Sequence, residues 1–458
     1  MINFKILFGA FLKELSFDRR AVRFLFLGYI IIAFLGAFLL GLDGVYKGEL
    51  SFVDALFTSS SAISMTGLIV KNTAIDFELS GQIIILILIQ IGGLGYMGFG
   101  VFFYILIRKK IGFNERALLK ESLIYPHMEG IIDFLRKILL FIFITELLAA
   151  LLLTIRFSLQ MDIKEALWHG IFHSISAFNN AGFSTFENGM MDYRDDIFVN
   201  IIITSLIIIG GIGYFVLLEL YLFQRKRLNN LSLHTKIVVR MTIFLIILAT
   251  LAVFCFEYTN PKSLGELSLV DKIFNSYFTA VNYRTSGFNT LDIGAFKDAS
   301  LFFGSLFMII GGGPGGTSGG IKVTTCAILL IYTYWIIRGG RIRIFNYEIP
   351  EETIKKAFVV AIGSAIYIII CILILCLLES DHRFLTILFE TTSAFATVGI
   401  SVGDGGFLSL SALFGNWGKI IIIIMMISGR IGIFAFLLVI FMKEKEKYIK
   451  YPEGKIYI

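Results

Sequence analysis

A short segment that ends in a glycine occurs four times in this chain, and this repetition limits the folds that the chain can adopt. The segments read SAISMTGL, SAFNNAGF, AVNYRTSGF and SAFATVGI, and their glycines are Gly67, Gly182, Gly287 and Gly399. The glycines lie 115, 105 and 112 residues apart, so each copy belongs to a unit of similar length. Four copies of one unit in one chain predict that the copies pack around a common axis.

Long apolar stretches flank each of these segments. Apolar residues make up 57% of the 458 residues and charged residues only 16%, with a mean hydropathy of +0.84. A soluble domain is typically about a quarter charged, so this composition excludes an ordinary soluble enzyme. Eight stretches are long enough to cross a bilayer. They lie at 21–42, 80–107, 137–158, 197–223, 237–257, 299–337 (interrupted), 357–378 and 413–442.

The glycine-ended segments are too short to cross a membrane. They occupy 51–65, 162–178, 267–283 and 383–396, each between two long stretches. A re-entrant half-helix followed by an extended loop fits such a segment, provided that the loop faces protein or water. The predicted fold class is therefore an all-α membrane protein with eight transmembrane helices, built from four helix, pore half-helix, helix repeats in a pseudo-fourfold arrangement around a single ion pore. The predicted domains are the repeats 1–110, 111–226, 227–343 and 344–458, the last with a short cytoplasmic tail.

The distribution of basic residues predicts the orientation. If both termini are cytoplasmic, the inner segments 1–23, 108–137, 224–240, 338–356 and 443–458 carry 27 lysines and arginines, against 11 in the outer segments. This bias agrees with the positive-inside rule. Acidic residues concentrate on the opposite side, where they would attract cations to the outer mouth of a pore. We expect a multi-pass protein of the bacterial cell (inner) membrane.

The four loop glycines indicate a cation site. Backbone carbonyls can all turn toward a central ion only if some residues adopt conformations that glycine tolerates best. A ring of carbonyl oxygens can replace the hydration shell of a monovalent cation. Close helix packing is the alternative function of such glycines. We favour that alternative only for the clusters GGLGY at 92–96 and GGIGY at 210–214.

A glycine-rich stretch interrupts the sixth long apolar run. Residues 311–320 contain seven glycines and a proline, so they cannot form a regular helix. At membrane depth their backbone groups must face protein or a water-filled path, which predicts a flexible loop in the conduction pathway. A phosphate-binding P-loop would need lysine directly after the last glycine, but Ile321 intervenes.

With its loop glycines, its Gly311–Lys322 run and Arg430 in the last apolar stretch, the chain resembles the TrkH/Trk/Ktr/HKT superfamily of K+ transporters. Within that superfamily it is most similar to the bacterial KtrB-type membrane subunits. The resemblance implies a K+-binding filter, with K+ as the only bound metal ion. The implied filter residues are Met65, Thr66, Gly67, Leu68, Asn180, Ala181, Gly182, Phe183, Thr285, Ser286, Gly287, Phe288, Thr397, Val398, Gly399 and Ile400.

The resemblance also implies an intramembrane gate below the filter. Its residues are Gly311, Gly312, Gly313, Pro314, Gly315, Gly316, Thr317, Ser318, Gly319, Gly320, Lys322 and Arg430. Arg430 would contact the glycine-rich loop and raise the barrier to ions. An intramembrane charge is costly and usually functional. Lys322 either contributes to this gate or extends its ammonium group to the cytoplasmic boundary.

The implied partners are a second copy of the chain, in a homodimer, and a cytosolic RCK ring of the KtrA type. Nucleotide would act only through that partner subunit, so we expect no cofactor in this chain. K+ is the transported ion, and Na+ is a second candidate. A secondary transporter of another class, coupled to Na+, is the alternative function, although four repeats of like orientation argue against an inverted-repeat carrier. We expect no enzyme activity.

Four polar side chains outside the filter and gate have local interpretations. His169 and His173 have metal-like spacing but no third ligand nearby, so packing is favoured. We expect Arg284 to brace the third filter segment through a carboxylate or carbonyl, without binding ions. Glu146 is a functional candidate inside the third apolar stretch, with a helix–helix hydrogen bond as an equal alternative.

Overall fold

The structure, a computed structural model, describes residues 19–95, 98, 112, 116, 119, 129–340, 342–403 and 407–441. Helices dominate this part of the chain, which confirms the predicted helical class. The helices are α1 (Arg19–Leu40), α2 (Phe52–Ser64), α3 (Leu79–Leu94), α4 (Ile131–Phe157), α5 (Ile163–Phe178), α6 (Ile197–Gly211), α7 (Tyr214–Gln224), α8 (Leu233–Glu257), α9 (Leu269–Asn282), α10 (Asp298–Met308), α11 (Val323–Arg338), α12 (Glu351–Leu378), α13 (Phe384–Ala396), α14 (Asn416–Ile431) and α15 (Ile433–Phe441). Strands β1 (Arg343–Ile344) and β2 (Tyr347–Glu348) form an antiparallel hairpin between α11 and α12.

The four short helices α2, α5, α9 and α13 match the predicted half-helices within two residues at each end. Side-chain caps fix three of their starts. The Ser51 and Ser268 hydroxyls accept from the backbone N–H groups of Asp54 and Asp271, and the Asp162 carboxylate accepts from Lys164. Such caps satisfy N–H groups that have no partner inside a helix.

Long apolar helices surround the short ones. In the described residues, α4, α8 and α12 are long and apolar enough to cross a membrane, and α6 with α7 would make a fourth span bent by 103°. Their outer faces carry exposed large apolar side chains, such as Leu377 of α12, which is 83% exposed. Apolar surface on this scale is suited to lipid, so the chain is a multi-pass membrane protein.

Several predicted spans are broken, and only one of the breaks was predicted from the sequence. The predicted span 299–337 is interrupted between α10 and α11, as expected. The spans predicted at 197–223 and 413–442 are each divided into two helices, because Gly213 and Gly432, with φ of 105° and 94°, separate α6 from α7 and α14 from α15. In the span predicted at 80–107, α3 ends at Leu94, just before Gly95 with its φ of 68°, and most of the remainder lies outside the described residues. The count of eight crossings and the four domain boundaries stay predictions.

The glycine clusters after the half-helices permit close packing, which confirms the interpretation of their first glycines. A Cβ on Gly92 would overlap the carbonyl of Ile63, and one on Gly210 would overlap that of Phe178. A Cβ on Gly429 would likewise overlap the carbonyl of Phe395. The second helix therefore contacts the backbone of the half-helix four residues before its loop glycine.

Replacing Gly210 with alanine should destabilise the fold, because the added methyl group would meet backbone that cannot rotate away. We expect a loss of about 1–3 kcal/mol, typical of overpacking. The measurement is the thermal unfolding midpoint of the purified protein in detergent. Gly41→Ala is the control, since its Cβ would lie at an ordinary 3.5 Å from the nearest atom. Equal midpoints for the two variants would contradict the packing account.

Candidate functional site

The four loop glycines lie against one another in the interior. A Cβ on Gly67 would lie 3.1 Å from the Cα of Gly182, and one on Gly182 would lie 2.6 Å from the Cα of Gly287. A Cβ on Gly399 would lie 2.9 Å from the Cα of Gly67, and one on Gly287 would lie 3.3 Å from the carbonyl oxygen of Val398. These contacts close a ring, so four segments distant in sequence converge on one place.

Each converging segment has the same backbone signature. The residues two positions before the glycines are Met65, Asn180, Thr285 and Thr397, with φ of 56°, 57°, 74° and 52°. The glycines themselves have φ of 89°, 71°, 78° and 83°. Left-handed conformations are costly for residues other than glycine and persist only where the surroundings enforce them. Four such residues in equivalent positions indicate a functional backbone geometry.

Hydrogen bonds from the half-helix ends enforce this geometry. The N–H groups of Thr66, Ala181 and Val398 donate to carbonyls five residues earlier, at 2.9, 2.8 and 2.8 Å. In the third segment the Asn282 side-chain oxygen accepts from the N–H of Phe288 at 3.2 Å instead. All sixteen predicted filter residues are buried except Gly287, which is partly exposed.

A small cavity opens at the ring of glycines. Its lining includes all four loop glycines, the side chains of Asn289 and Ser401, and the acidic Asp292. Backbone carbonyls of the four segments lie at the ring, and oxygen ligands of this kind can coordinate a partly dehydrated monovalent cation. The arrangement is therefore suited to a cation and has no nucleophile or acid–base pair at its centre among the described residues.

Two buried side chains support the ring from behind. His173 and Glu390 occupy the same position, nine residues before the loop glycine, in the second and fourth half-helices. His173 Nε2 lies 2.8 Å from the Ser184 hydroxyl, and Glu390 accepts from the Ser401 hydroxyl at 2.6 Å and the Ser411 N–H at 2.9 Å. The structural interpretation of His173 is thus correct. Glu390 was not among the predicted site residues, although the repeat gives it the same position as His173.

The glycine-rich loop, residues 309–322, lies between α10 and α11 and is bound mainly through its backbone. The N–H of Gly313 donates to the carbonyl of Gly211 at 2.8 Å, and that of Thr317 donates to Gly210 at 3.2 Å. The N–H of Tyr214 donates to Gly315 at 3.2 Å. The loop therefore lies against the break between α6 and α7.

Cationic side chains bond the loop's carbonyls. Arg430 Nη1 donates to Thr317 at 2.5 Å, while its Nη2 donates to Gly92 at 2.8 Å. Lys322 Nζ donates to Ser318 at 2.5 Å, so its ammonium group points to the loop and not to a membrane boundary. Neither cation has an acidic partner within ion-pair distance among the described residues. Two positive charges without an acidic partner among the described residues therefore lie at the loop.

Arg284 bonds two backbone carbonyls. Its guanidinium group donates to the carbonyls of Thr242 and Gly311, both at 3.3 Å. The expectation of a carbonyl partner is confirmed, and the two partners belong to α8 and to the glycine-rich loop. The sequence carries no signal for this contact, because it joins residues 27 positions apart in different elements.

Glu146 is buried among amides. Its carboxylate accepts from Gln90 at 3.3 Å and from Asn179 at 3.0 Å. These bonds join α3, α4 and the end of α5. Glu146 therefore forms hydrogen bonds between helices, which was one of its two predicted roles. Asn179 stands three residues before Gly182, which links Glu146 to the second converging segment.

Comparisons with known proteins agree on one family. The family described as TrkH, cation transport protein, matches residues 24–451. The Ktr system potassium uptake protein B of Bacillus subtilis (strain 168) is 41% identical over 94% of this chain and 95% of that protein. The potassium/sodium uptake protein NtpJ of Enterococcus hirae is 32% identical over 94% of this chain and 95% of its own.

A solved structure shares the fold. The potassium transporter TrkH from Vibrio parahaemolyticus superimposes with a TM-score of 0.73, covering 93% of this chain and 86% of that one. Its sequence identity is 20%, so this likeness concerns the fold alone.

The Glu390 support predicts a stability difference between two carboxylates. Glu390→Gln places an amide NH₂ group against the N–H and hydroxyl donors of Ser401 and Ser411, so we expect a loss of about 1–3 kcal/mol. Glu379→Gln is the matched control, because Glu379 accepts a single N–H, from Gly415, near the surface. Thermal unfolding in detergent measures both. A larger loss for the Glu379 variant would contradict the assigned role of Glu390.

Proposed function

Because the chain belongs to the TrkH family of cation transport proteins, we propose that it is the membrane-embedded ion-translocating subunit of a K+ uptake system. The convergence of Gly67, Gly182, Gly287 and Gly399, each with positive φ, carries this proposal. Relatives of the same length, named as potassium uptake proteins, support K+ as the transported ion. The relative named for potassium and sodium makes Na+ the second candidate.

In the proposed mechanism, K+ loses water at carbonyls of the four converging segments. Four helix, half-helix, helix repeats with eight crossings would surround this path. The repeated left-handed residues support this architecture, because they give each segment the same backbone course. The membrane potential would drive entry, since moving one charge through 100 mV releases about 2.3 kcal/mol.

The glycine-rich loop would act as the gate. Its position next to the ring and its bonds to Arg430 and Lys322 support this role. Uncompensated cations beside a pore repel K+, and the repulsion is strong where water is scarce. Opening would require the loop to leave the guanidinium group of Arg430.

The proposed partners are a second copy of the chain and a cytosolic RCK ring that binds nucleotide. The relative named as protein B of a Ktr system supports an assembly with other components. The proposed location is the bacterial inner membrane, with both termini cytoplasmic, where basic inner segments would meet the ring. A Na+-coupled carrier of another class is the weaker alternative, because the family assignment favours cation translocation itself.

Expression of the chain with an RCK subunit should restore growth of a K+-uptake-deficient strain at low K+. Gly287→Ser should abolish this rescue, because its φ is 78° and its Cβ would lie 2.8 Å from the Cα of Gly182. Gly44→Ser is the matched control, with the same φ of 78° and no atom within 4 Å of its Cβ. Rescue by both variants to wild-type levels would refute the filter assignment.

Replacing Arg430 with glutamine should raise K+ flux, because the loop loses a charged donor and the path loses a repelling charge. Hydrogen bonds to charged groups contribute about 1.5–3 kcal/mol, so we expect an increase of about tenfold or more. Rubidium uptake into proteoliposomes measures the effect. Unchanged flux in folded protein would be incompatible with the barrier role.

A further inference from the structure

The two ends of the glycine-rich loop are bonded to two different filter segments. At the first end, Arg284 donates to the carbonyl of Gly311 at 3.3 Å. Arg284 directly precedes Thr285, the left-handed residue of the third segment. Its side chain is only 7% exposed, so this bond is not a loose surface contact.

At the second end, the N–H of Gly319 donates to the hydroxyl of Thr397 at 3.0 Å. Thr397 is the left-handed residue of the fourth segment and is fully buried. A Cβ on Gly319 would lie 2.8 Å from the Thr397 methyl carbon, so glycine permits this close approach. The hydroxyl is engaged with the loop, and the residue's own N–H bonds to Ala394 within its half-helix.

Arg430 and Lys322 bond the loop between these two ends, and neither belongs to a filter segment. They can oppose ions without any change in the filter. Arg284 and Thr397 differ from these two cations. Arg284 directly precedes the filter residue Thr285, and Thr397 is itself a filter residue. A shift of either segment must move a hydrogen-bond partner of the loop.

We propose that Arg284 and Thr397 act as positioning residues that couple the filter to the glycine-rich loop. This inference rests on the proposed function and adds its regulation. Arg284 and Thr397 bond the two ends of the loop when the filter segments have the geometry described above. The bonded loop in turn stabilises that geometry, which binds K+. Coupling of this kind is reciprocal. If bound K+ stabilises the bonded position of the loop by some factor, then losing the loop's bonds must weaken K+ binding by the same factor.

The test measures K+ binding and flux in the purified full-length protein. The variants are Arg284→Lys, which keeps the charge but loses the forked donors, Thr397→Val, which keeps the β-branched shape but loses the hydroxyl, and deletion of 313–318. Isothermal titration with KCl gives affinity, and rubidium uptake into proteoliposomes gives flux. Thr392→Val is the matched control, because its buried hydroxyl bonds only carbonyls of its own half-helix.

We expect each of the three variants to weaken K+ binding about two- to tenfold, the range for one lost hydrogen bond, while the control binds as wild type. Wild-type K+ affinity in Thr397→Val and in the deletion would overturn the coupling, whatever happens to flux. Those two variants decide the matter if Arg284→Lys fails to fold. Failure of the wild-type protein to transport K+ would instead refute the proposed function.

Discussion

Backbone groups that leave a helix inside a membrane protein must find partners, and this requirement determines the centre of the structure. Each half-helix is followed by a left-handed residue, and in three of the four segments the next N–H group donates back to a carbonyl of the helix end. The carbonyls of the following segment are then available for another ligand. An apolar surrounding makes an unpaired carbonyl expensive, so a cation is an effective partner for several of them together.

The four segments share a backbone course, but their supports differ. The second and fourth have a buried histidine and a buried glutamate behind them, and the third replaces a carbonyl acceptor with the Asn282 side chain. The helices after the half-helices are also unequal. A short break at Gly213 or Gly432 interrupts two of them, whereas residues 309–322 form a whole loop in the third. A single chain can thus place one glycine-rich loop beside a ring of similar segments, which four identical subunits could not do.

The sequence pattern predicted those parts of the fold whose structure depends on residues close together in the chain. The half-helices follow from short amphipathic segments, and the loop glycines follow from their own repetition. The break at Gly213 was not predictable from its span alone, because Gly95 and Gly213 stand in clusters that also serve close packing. The contacts of Arg284 and Glu146 required the fold, since they join elements that the sequence separates by tens of residues. The position of Glu390 was available from the repeat, but its partners were not.

The central claim is that the carbonyls around Gly67, Gly182, Gly287 and Gly399 form one K+ site. Anomalous diffraction from crystals of the full-length protein grown in rubidium chloride tests it most directly, because rubidium replaces K+ and is visible by its scattering. The account predicts an anomalous peak on the axis between the four segments, absent from crystals grown in lithium salts. A clear map with no peak there, or with rubidium bound only elsewhere, would contradict it.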